Sequence, residues 1–201
     1  MAVIGSTFMA TSLSDDSLVR LLINALATTL ALFVAISVFA SISGAHFNPV
    51  VTLVFAIEKK MNWSDVIPYI LAQLSGGAFG VLLANLMFQG SILKVSAVDR
   101  ADPKNYLGEI IATSVLVMLI LISVAQNREH AIAYLVSAWI GSAYFTTVST
   151  SFANPAVTFA RTFSDNGAGI NPQSMGIFIG VQLAGGILGL CLSRIFTQRM
   201  A

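Results

Sequence analysis

The chain has 201 residues, of which 56% are hydrophobic and only 9% are charged. Soluble domains carry about 25% charged residues, so this chain has too little charge to cover a water-soluble globule. Ten Lys and Arg residues against nine Asp and Glu residues leave a formal charge of +1, without a basic stripe that could follow a nucleic-acid backbone. The composition therefore excludes a soluble domain, a disordered chain and a nucleic-acid-binding protein, and predicts an integral membrane protein.

The first apolar stretch is short. About 12 apolar residues precede the polar segment Leu13-Ser14-Asp15-Asp16, whereas a helix that crosses a membrane needs about 20. The stretch also lacks the basic start and the small-residue cleavage site of a secretory signal. We therefore expect a shortened first span.

The next apolar run, 21–57, holds 37 residues without a charge, too many for one helix and too few for two helices with a loop. Near its end the chain reads Ser43-Gly44-Ala45-His46-Phe47-Asn48-Pro49-Val50. Asn is a favoured helix N-cap, and Pro suits the first helical position because its missing N–H would be unsatisfied there. The run therefore predicts a span, a turn that stays in the membrane, and a half-helix.

The remaining apolar runs repeat this organisation. Runs 66–93, 110–127 and 166–193 each fit one span, and the second of them is expected to begin before Glu109. Run 131–160 ends in a second break, Thr150-Ser151-Phe152-Ala153-Asn154-Pro155-Ala156-Val157. Irregular backbone at membrane depth persists only where protein buries it or where it lines a wet cavity. Two such turns therefore predict a lined pathway.

The two halves of the chain are similar in sequence. Asn48-Pro49-Val50-Val51-Thr52 matches Asn154-Pro155-Ala156-Val157-Thr158 at an offset of 106 residues. The Gly-rich segments 73–80 and 182–189 match at an offset of 109, and their glycines are expected to let helices pack closely. Each half holds an odd number of spans, which predicts an inverted repeat of about 1–92 and 105–201 within a single channel domain, 1–201. The first offset pairs Glu109 with Val3, so the first half lacks this acid.

These segments resemble the aquaporin (major intrinsic protein) family, and in particular its bacterial aquaglyceroporin-like members. The resemblance covers almost every residue from Leu18 to Phe196 and rests on the two Asn-Pro motifs and on Glu109 early in the fourth span. It implies an all-α membrane protein with an inverted repeat, five full spans, a shortened first span and two re-entrant half-helices. It also implies a homotetramer, with one pore per subunit, in the lipid bilayer of a bacterial inner (cytoplasmic) membrane.

The resemblance assigns the pore motifs to six residues: Asn48, Pro49, Val50, Asn154, Pro155 and Ala156. Half-helices 49–57 and 155–163 would meet at mid-membrane, with both Asn amides pointing into the pore. Helix N-termini carry about +0.5 charge each, so they would repel cations and protons and orient neutral hydroxylic solutes. By the same resemblance, His46 lines the cytoplasmic side and Glu109 holds the backbone of the second turn.

The resemblance also implies a selectivity filter of four residues, counted from the Asn-Pro turns: Thr28, Ser142, Ser151 and Val157. All four are small, and Val157 stands where the family usually has Arg, which predicts a wide filter. Arg161 lies four residues further, about 6 Å along the helix. We expect it toward the surface, in a vestibule or structural role.

The predicted function is a passive channel for small uncharged solutes (water, glycerol or similar polyols, and neutral metalloid acids) that excludes protons and ions. The implied partners are these solutes and the bilayer, with no nucleic acid, cofactor or metal. An enzyme is not expected, because the sequence has no nucleophile–base pair or metal cluster, and Cys191 lies in an apolar run. Two alternatives stay open: a non-conducting pseudochannel with a truncated first helix, and a secondary transporter, which would need buried ionisable residues such as Glu109 and His46.

Overall fold

The computed structural model describes residues 1–89 and 91–198, and every regular element in this part of the chain is helical. The α-helices are, in chain order, α1 (Ala2–Leu13), α2 (Ser17–Ser43), α3 (Pro49–Ile57), α4 (Trp63–Gln89), α5 (Pro103–Ala125), α6 (Ile132–Thr146), α7 (Pro155–Ala160) and α8 (Pro172–Thr197). Two short 3-10 helices, Glu129–Ala131 and Arg161–Phe163, precede α6 and follow α7.

Helix length separates possible spans from shorter elements. Four helices, α2, α4, α5 and α8, are long and apolar enough to cross a membrane. Helix α1 has 12 residues and α6 has 15, which at a rise of 1.5 Å makes them about 18 and 22 Å long, against a hydrocarbon core of about 30 Å. Helix α1 is therefore shorter than the core is thick, and four of the five predicted full spans reach full length in the described residues.

Capping residues explain where the helices begin. In five helices the N-cap side-chain oxygen accepts a backbone N–H of the first turn: Asp16, Asn48, Asp102, Asn154 and Asn171. Proline follows the last four of these caps at the first helical position. Each such cap stabilises its helix by about 1 kcal/mol. The predicted half-helices begin at the predicted residues, as α3 and α7.

Small residues bring α8 close to its neighbours. A Cβ added at Gly185 would lie 2.7 Å from the carbonyl oxygen of Ile110 on α5, and one at Gly189 would collide with Ser114. A Cβ at Gly186 would collide with Val50, so this glycine seats half-helix α3 on α8. The expected packing role is confirmed for these three residues. In the first half it does not extend to Gly76, which faces open space.

Candidate pore

A cavity of about 650 Å³ lies between α2, α5, α6 and the two half-helices. Six of the predicted pore and filter residues line it: Thr28, His46, Asn48, Ser151, Asn154 and Val157. Most other lining residues are aliphatic or aromatic. The cavity is thus a mainly apolar space into which a few polar groups reach at defined places, which is the usual character of a small-molecule pathway.

Five other predicted site residues lie behind this wall. Pro49, Val50, Pro155 and Ala156 are buried as the first residues of α3 and α7. Glu109 is fully buried behind the second turn. These residues support the wall from the protein side and do not line the cavity.

Ser142 requires a correction. It is exposed and lies outside the cavity lining, whereas Tyr144 lines the cavity and donates its hydroxyl to Thr28 Oγ1 at 3.1 Å. Two residues correspond to about 200° around a helix, so the two side chains face opposite sides of α6. The count from Asn154 back to α6 crosses residues 147–154, which are not helical, so the helical phase was lost.

The two Asn side chains join the half-helices. Asn48 Oδ1 accepts the N–H of Val50 at 3.0 Å, and its Nδ2 donates to the carbonyl of Ala153 at 2.7 Å. Asn154 Oδ1 accepts the N–H of Ala156 at 2.9 Å, and its Nδ2 donates to the carbonyl of Phe47 at 2.7 Å. Each Asn therefore caps its own helix and ties the opposite turn. An amide NH₂ carries two N–H donors, so each has a second donor to offer a solute.

A carboxylate holds the second turn. Glu109 Oε1 accepts the N–H of Phe152 at 2.8 Å, and Oε2 accepts the N–H of Ala153 at 2.7 Å. Oε2 also accepts from Gln182 Nε2 at 2.6 Å, and Gln182 is hydrogen-bonded to Thr158 on α7. Hydrogen bonds to an ionised acceptor are roughly twice as strong as neutral ones. Glu109 thus holds the backbone of the second turn, the role that the family resemblance implied.

The first turn is held by neutral groups. The N–H of His46 donates to the hydroxyl of Tyr69 at 3.3 Å, and that hydroxyl donates to the carbonyl of Ser43 at 2.9 Å. Gln73 Nε2 donates to Thr52 Oγ1 at 2.9 Å, and this oxygen lies 3.1 Å from His46 Nδ1. Sequence reasoning missed Tyr69. The available signal was its position four residues before Gln73, on the same face of a helix.

Arg161 lies at the end of α7 as the sequence predicted, and it is buried in the cavity wall, which the sequence did not predict. It is 3% exposed, and its guanidinium carbon lies 3.3 Å from the centre of the Phe152 ring. Its Nε donates to the carbonyl of Ala168. Arg100 faces the same ring at 4.8 Å, but its guanidinium donates to the carbonyls of Gly169 and Gly167, and it does not line the cavity.

The segment 91–102 fastens the end of the second half-helix. The N–H of Ser96 donates to the carbonyl of Thr162 at 2.9 Å. The Asp165 carboxylate accepts the N–H of Ala97 at 3.1 Å and pairs with Lys94 at 3.3 Å. The Ala97 N–H, with a smaller effect of Lys94, holds the pKa of Asp165 below its ordinary value. These contacts stabilise the loop in which Ala168 receives Arg161.

Comparisons with known proteins agree with this architecture. The model of the Major intrinsic protein family matches residues 1–148. Aquaglyceroporin AqpS of Rhizobium meliloti is 40% identical over 197 residues, which are 98% of this chain and 84% of that protein. A glycerol uptake facilitator protein of Streptococcus pneumoniae is 36% identical over 103 residues, 45% of this chain and 44% of that protein. Probable aquaporin TIP2-1 of Oryza sativa is 27% identical over 176 residues, which are 86% of this chain and 71% of that protein. The chain therefore belongs to the major intrinsic protein family, an integral membrane family whose aquaglyceroporins are channels and not enzymes.

Proposed function

We propose that this chain is a passive channel for small uncharged solutes, chiefly glycerol and similar polyols, with water and neutral metalloid acids, and that it excludes protons and ions. The observation that carries the proposal is the cavity that reaches both Asn48 and Asn154. The names of two relatives, an aquaglyceroporin and a glycerol uptake facilitator protein, support the same solute class.

Selectivity would follow from the two half-helix N-termini. Each carries about +0.5 charge, and both lie at the cavity through their Asn caps. An Asn amide donates to the oxygen of a hydroxyl group, and the apolar wall accommodates the carbon side of a polyol. A cation is repelled by both helix ends. The solute moves down its own gradient without chemical change.

The width of the pathway would be set by Thr28, Tyr144, Ser151 and Val157. Val157 replaces the Arg that is usual in the family at this position, and it is three residues beyond Asn154 on α7. A shorter side chain without charge leaves more room for a three-carbon polyol. The Tyr144 hydroxyl is bonded to Thr28, which keeps the phenol ring against the wall.

The assembly and its location complete the proposal. We place α1 and α6 in the membrane with the four long helices, in two inverted repeats of about 1–92 and 105–201, with α3 and α7 re-entrant. Apolar side chains of α2, among them Leu22, Phe33 and Phe39, are exposed on the single chain. Such surfaces suit lipid or another subunit, in line with a homotetramer in a bacterial inner membrane.

Two other functions predict different behaviour. A secondary transporter needs an ionisable group that exchanges protons or ions, but Glu109 accepts three hydrogen bonds from its neighbours, which favours a structural role. A non-conducting pseudochannel would bind solutes at most. Swelling of proteoliposomes in water, glycerol and arsenous acid, with and without a proton gradient, separates the three. Flux that follows the proton gradient would favour the transporter, and no flux would favour the pseudochannel.

The filter assignment is tested by Val157→Arg. We expect glycerol flux to fall about tenfold more than water flux, a difference of about 1.4 kcal/mol in barrier height, because a long charged side chain narrows the pathway. Val95→Arg is the matched control, since Val95 is exposed in the segment 91–102. An equal loss of both fluxes in Val157→Arg would contradict the assignment.

A further inference from the structure

Arg161 is the one lysine or arginine side chain that lines the cavity among the described residues. No ion pair joins it to a carboxylate in residues 1–89 and 91–198. An ionised side chain buried without a carboxylate partner is costly, and within a membrane protein such a residue marks a functional site.

The surroundings of Arg161 hold its guanidinium in one place. The face of the Phe152 ring lies 3.3 Å from the guanidinium carbon, a cation–π contact that stabilises a positive charge. The Nε donor is used by the carbonyl of Ala168. A guanidinium has five N–H donors, so four remain on the two Nη atoms.

The position of Arg161 follows from that of Val157. Residues four apart lie on the same face of a helix, about 6 Å apart along its axis. Both side chains line the cavity, so the same wall presents first an apolar residue and, one turn later, a cation. The side chain is folded against Phe152 of the turn, and therefore stays at the cavity.

We infer that Arg161 is the selectivity arginine of this pore, displaced by one helical turn from the position that Val157 occupies. This inference rests on the proposed channel function. Its fixed positive charge repels cations, and its Nη donors bind the carbonyl or hydroxyl oxygen of a neutral solute. The displacement separates two tasks: Val157 leaves the pathway wide, while Arg161 keeps it closed to cations.

Urea and guanidinium ion test this separation, because they are both small and planar and differ mainly in charge. Their influx into proteoliposomes is measured for the full chain and for Arg161→Gln. We expect the wild-type chain to conduct urea and exclude guanidinium. Arg161→Gln should raise guanidinium influx about tenfold, equivalent to about 1.4 kcal/mol, and change urea influx by less than about threefold.

Two further variants separate charge in the cavity from loosening of the fold. Arg161→Lys keeps the charge and should keep guanidinium out. Arg100→Gln removes a cation from the same Phe152 ring but outside the cavity lining, so guanidinium influx should stay at the wild-type level. Circular dichroism and water flux of the same vesicles report whether each variant is folded.

Several results would overturn the inference. Equal influx of guanidinium and urea through the wild-type chain would by itself overturn it. An unchanged ratio of the two fluxes in a folded Arg161→Gln, or an equal rise in Arg100→Gln, would also contradict it. If the wild-type chain conducts neither urea nor glycerol, the proposed function fails first, and the inference fails with it.

Discussion

The two Asn-Pro turns share a sequence motif but differ in what holds them. The second turn is bound by the carboxylate of Glu109, which accepts two backbone N–H groups. The first turn is bound by the hydroxyl of Tyr69, which accepts one. The residue that would match Glu109 in the first half is Val3, which has no polar side chain. Two turns of similar sequence can thus have the same kind of backbone while their support comes from different helices and different chemical groups.

Both turns need such support because both contain strained backbone. Ala45 and Phe47 have φ values of 47° and 48° in the first turn, and Ser151 and Ala153 have 53° and 46° in the second. A non-glycine residue in this left-handed region costs about 1–2 kcal/mol. Such strain persists only where surrounding contacts determine the conformation. The two supports therefore do the same work, with one charged acceptor in one half and one neutral acceptor in the other.

Removing each support should give the largest difference between the halves. We expect Glu109→Gln to lower the free energy of unfolding by about 3 kcal/mol. The amide keeps one neutral oxygen as an acceptor, but its NH₂ replaces the other oxygen and faces a backbone N–H, so that two donors oppose each other. Tyr69→Phe, the matched change in the first half, should cost about 1 kcal/mol, the value of a neutral hydrogen bond. Thermal unfolding in detergent measures both. Equal losses would show that the charge of Glu109 is not what distinguishes the turns.

The two glutamines give a second, smaller difference. Gln182 is fully buried and donates to both Glu109 and Thr158, so Gln182→Leu should cost about 2 kcal/mol. Gln73 Oε1 is buried and has no hydrogen-bond partner among the described residues. Gln73→Leu removes this unsatisfied acceptor, and that gain offsets the lost hydrogen bond from Gln73 Nε2 to Thr52. We therefore expect Gln73→Leu to change the free energy of unfolding by less than about 1 kcal/mol. A larger loss for Gln73→Leu would reverse the comparison.

The parts of this fold that were predictable from sequence are those that local chemistry determines. The Asn-Pro pairs specify an N-cap followed by a first helical residue, and α3 and α7 begin there. The apolar runs longer than one span located both turns. The contact of Glu109 with the second turn was accessible only through the family resemblance, because its partners lie 43 and 44 residues further along the chain.

The features that sequence reasoning missed depend on non-helical backbone or on tertiary contacts. The count from Asn154 to the α6 pore residue crosses Thr147, which is extended, and three residues with positive φ, so it gave Ser142 and not Tyr144. The burial of Arg161 depends on the carbonyl of Ala168 and on the Phe152 ring. Neither contact follows from helical periodicity.

Replacing the two Asn residues should destabilise the two turns unequally, by a difference smaller than those above. Asn48→Ala removes a cap and leaves the carbonyl of Ala153, which is fully buried, without its donor. Asn154→Ala removes a cap and leaves the carbonyl of Phe47, a residue that is 37% exposed and within reach of water. Each cap is worth about 1 kcal/mol, and the buried carbonyl adds about 1 kcal/mol for Asn48→Ala. Thermal unfolding of the two variants gives the difference.

Asn48→Ser serves as the control for that prediction. Serine is a good N-cap and keeps an oxygen for the first turn of α3, but it has no amide to donate to the carbonyl of Ala153. Its unfolding midpoint should therefore lie between those of the wild-type chain and Asn48→Ala. If Asn48→Ser is as stable as the wild-type chain, the bond between the two turns contributes nothing, and only the cap matters.

The smallest expected effect is a loss of local stability at low pH in the segment 91–102, which supports only the second half-helix. The N–H of Ala97, followed by Lys94, lowers the pKa of Asp165 from its ordinary 3.8. A carboxyl whose folded pKa is depressed stabilises the loop above about pH 4 and stops doing so as the pH falls through the folded pKa. Amide hydrogen exchange of residues 94–98 is measured relative to the rate of an unstructured peptide at the same pH. The protection of these amides should be lower at pH 3 than at pH 5. Asp165→Asn, which does not titrate, should show the lower protection at both pH values. A pH step that persists in Asp165→Asn would assign the effect to another group, such as Asp99, whose pKa is lowered chiefly by the N–H of Ala101.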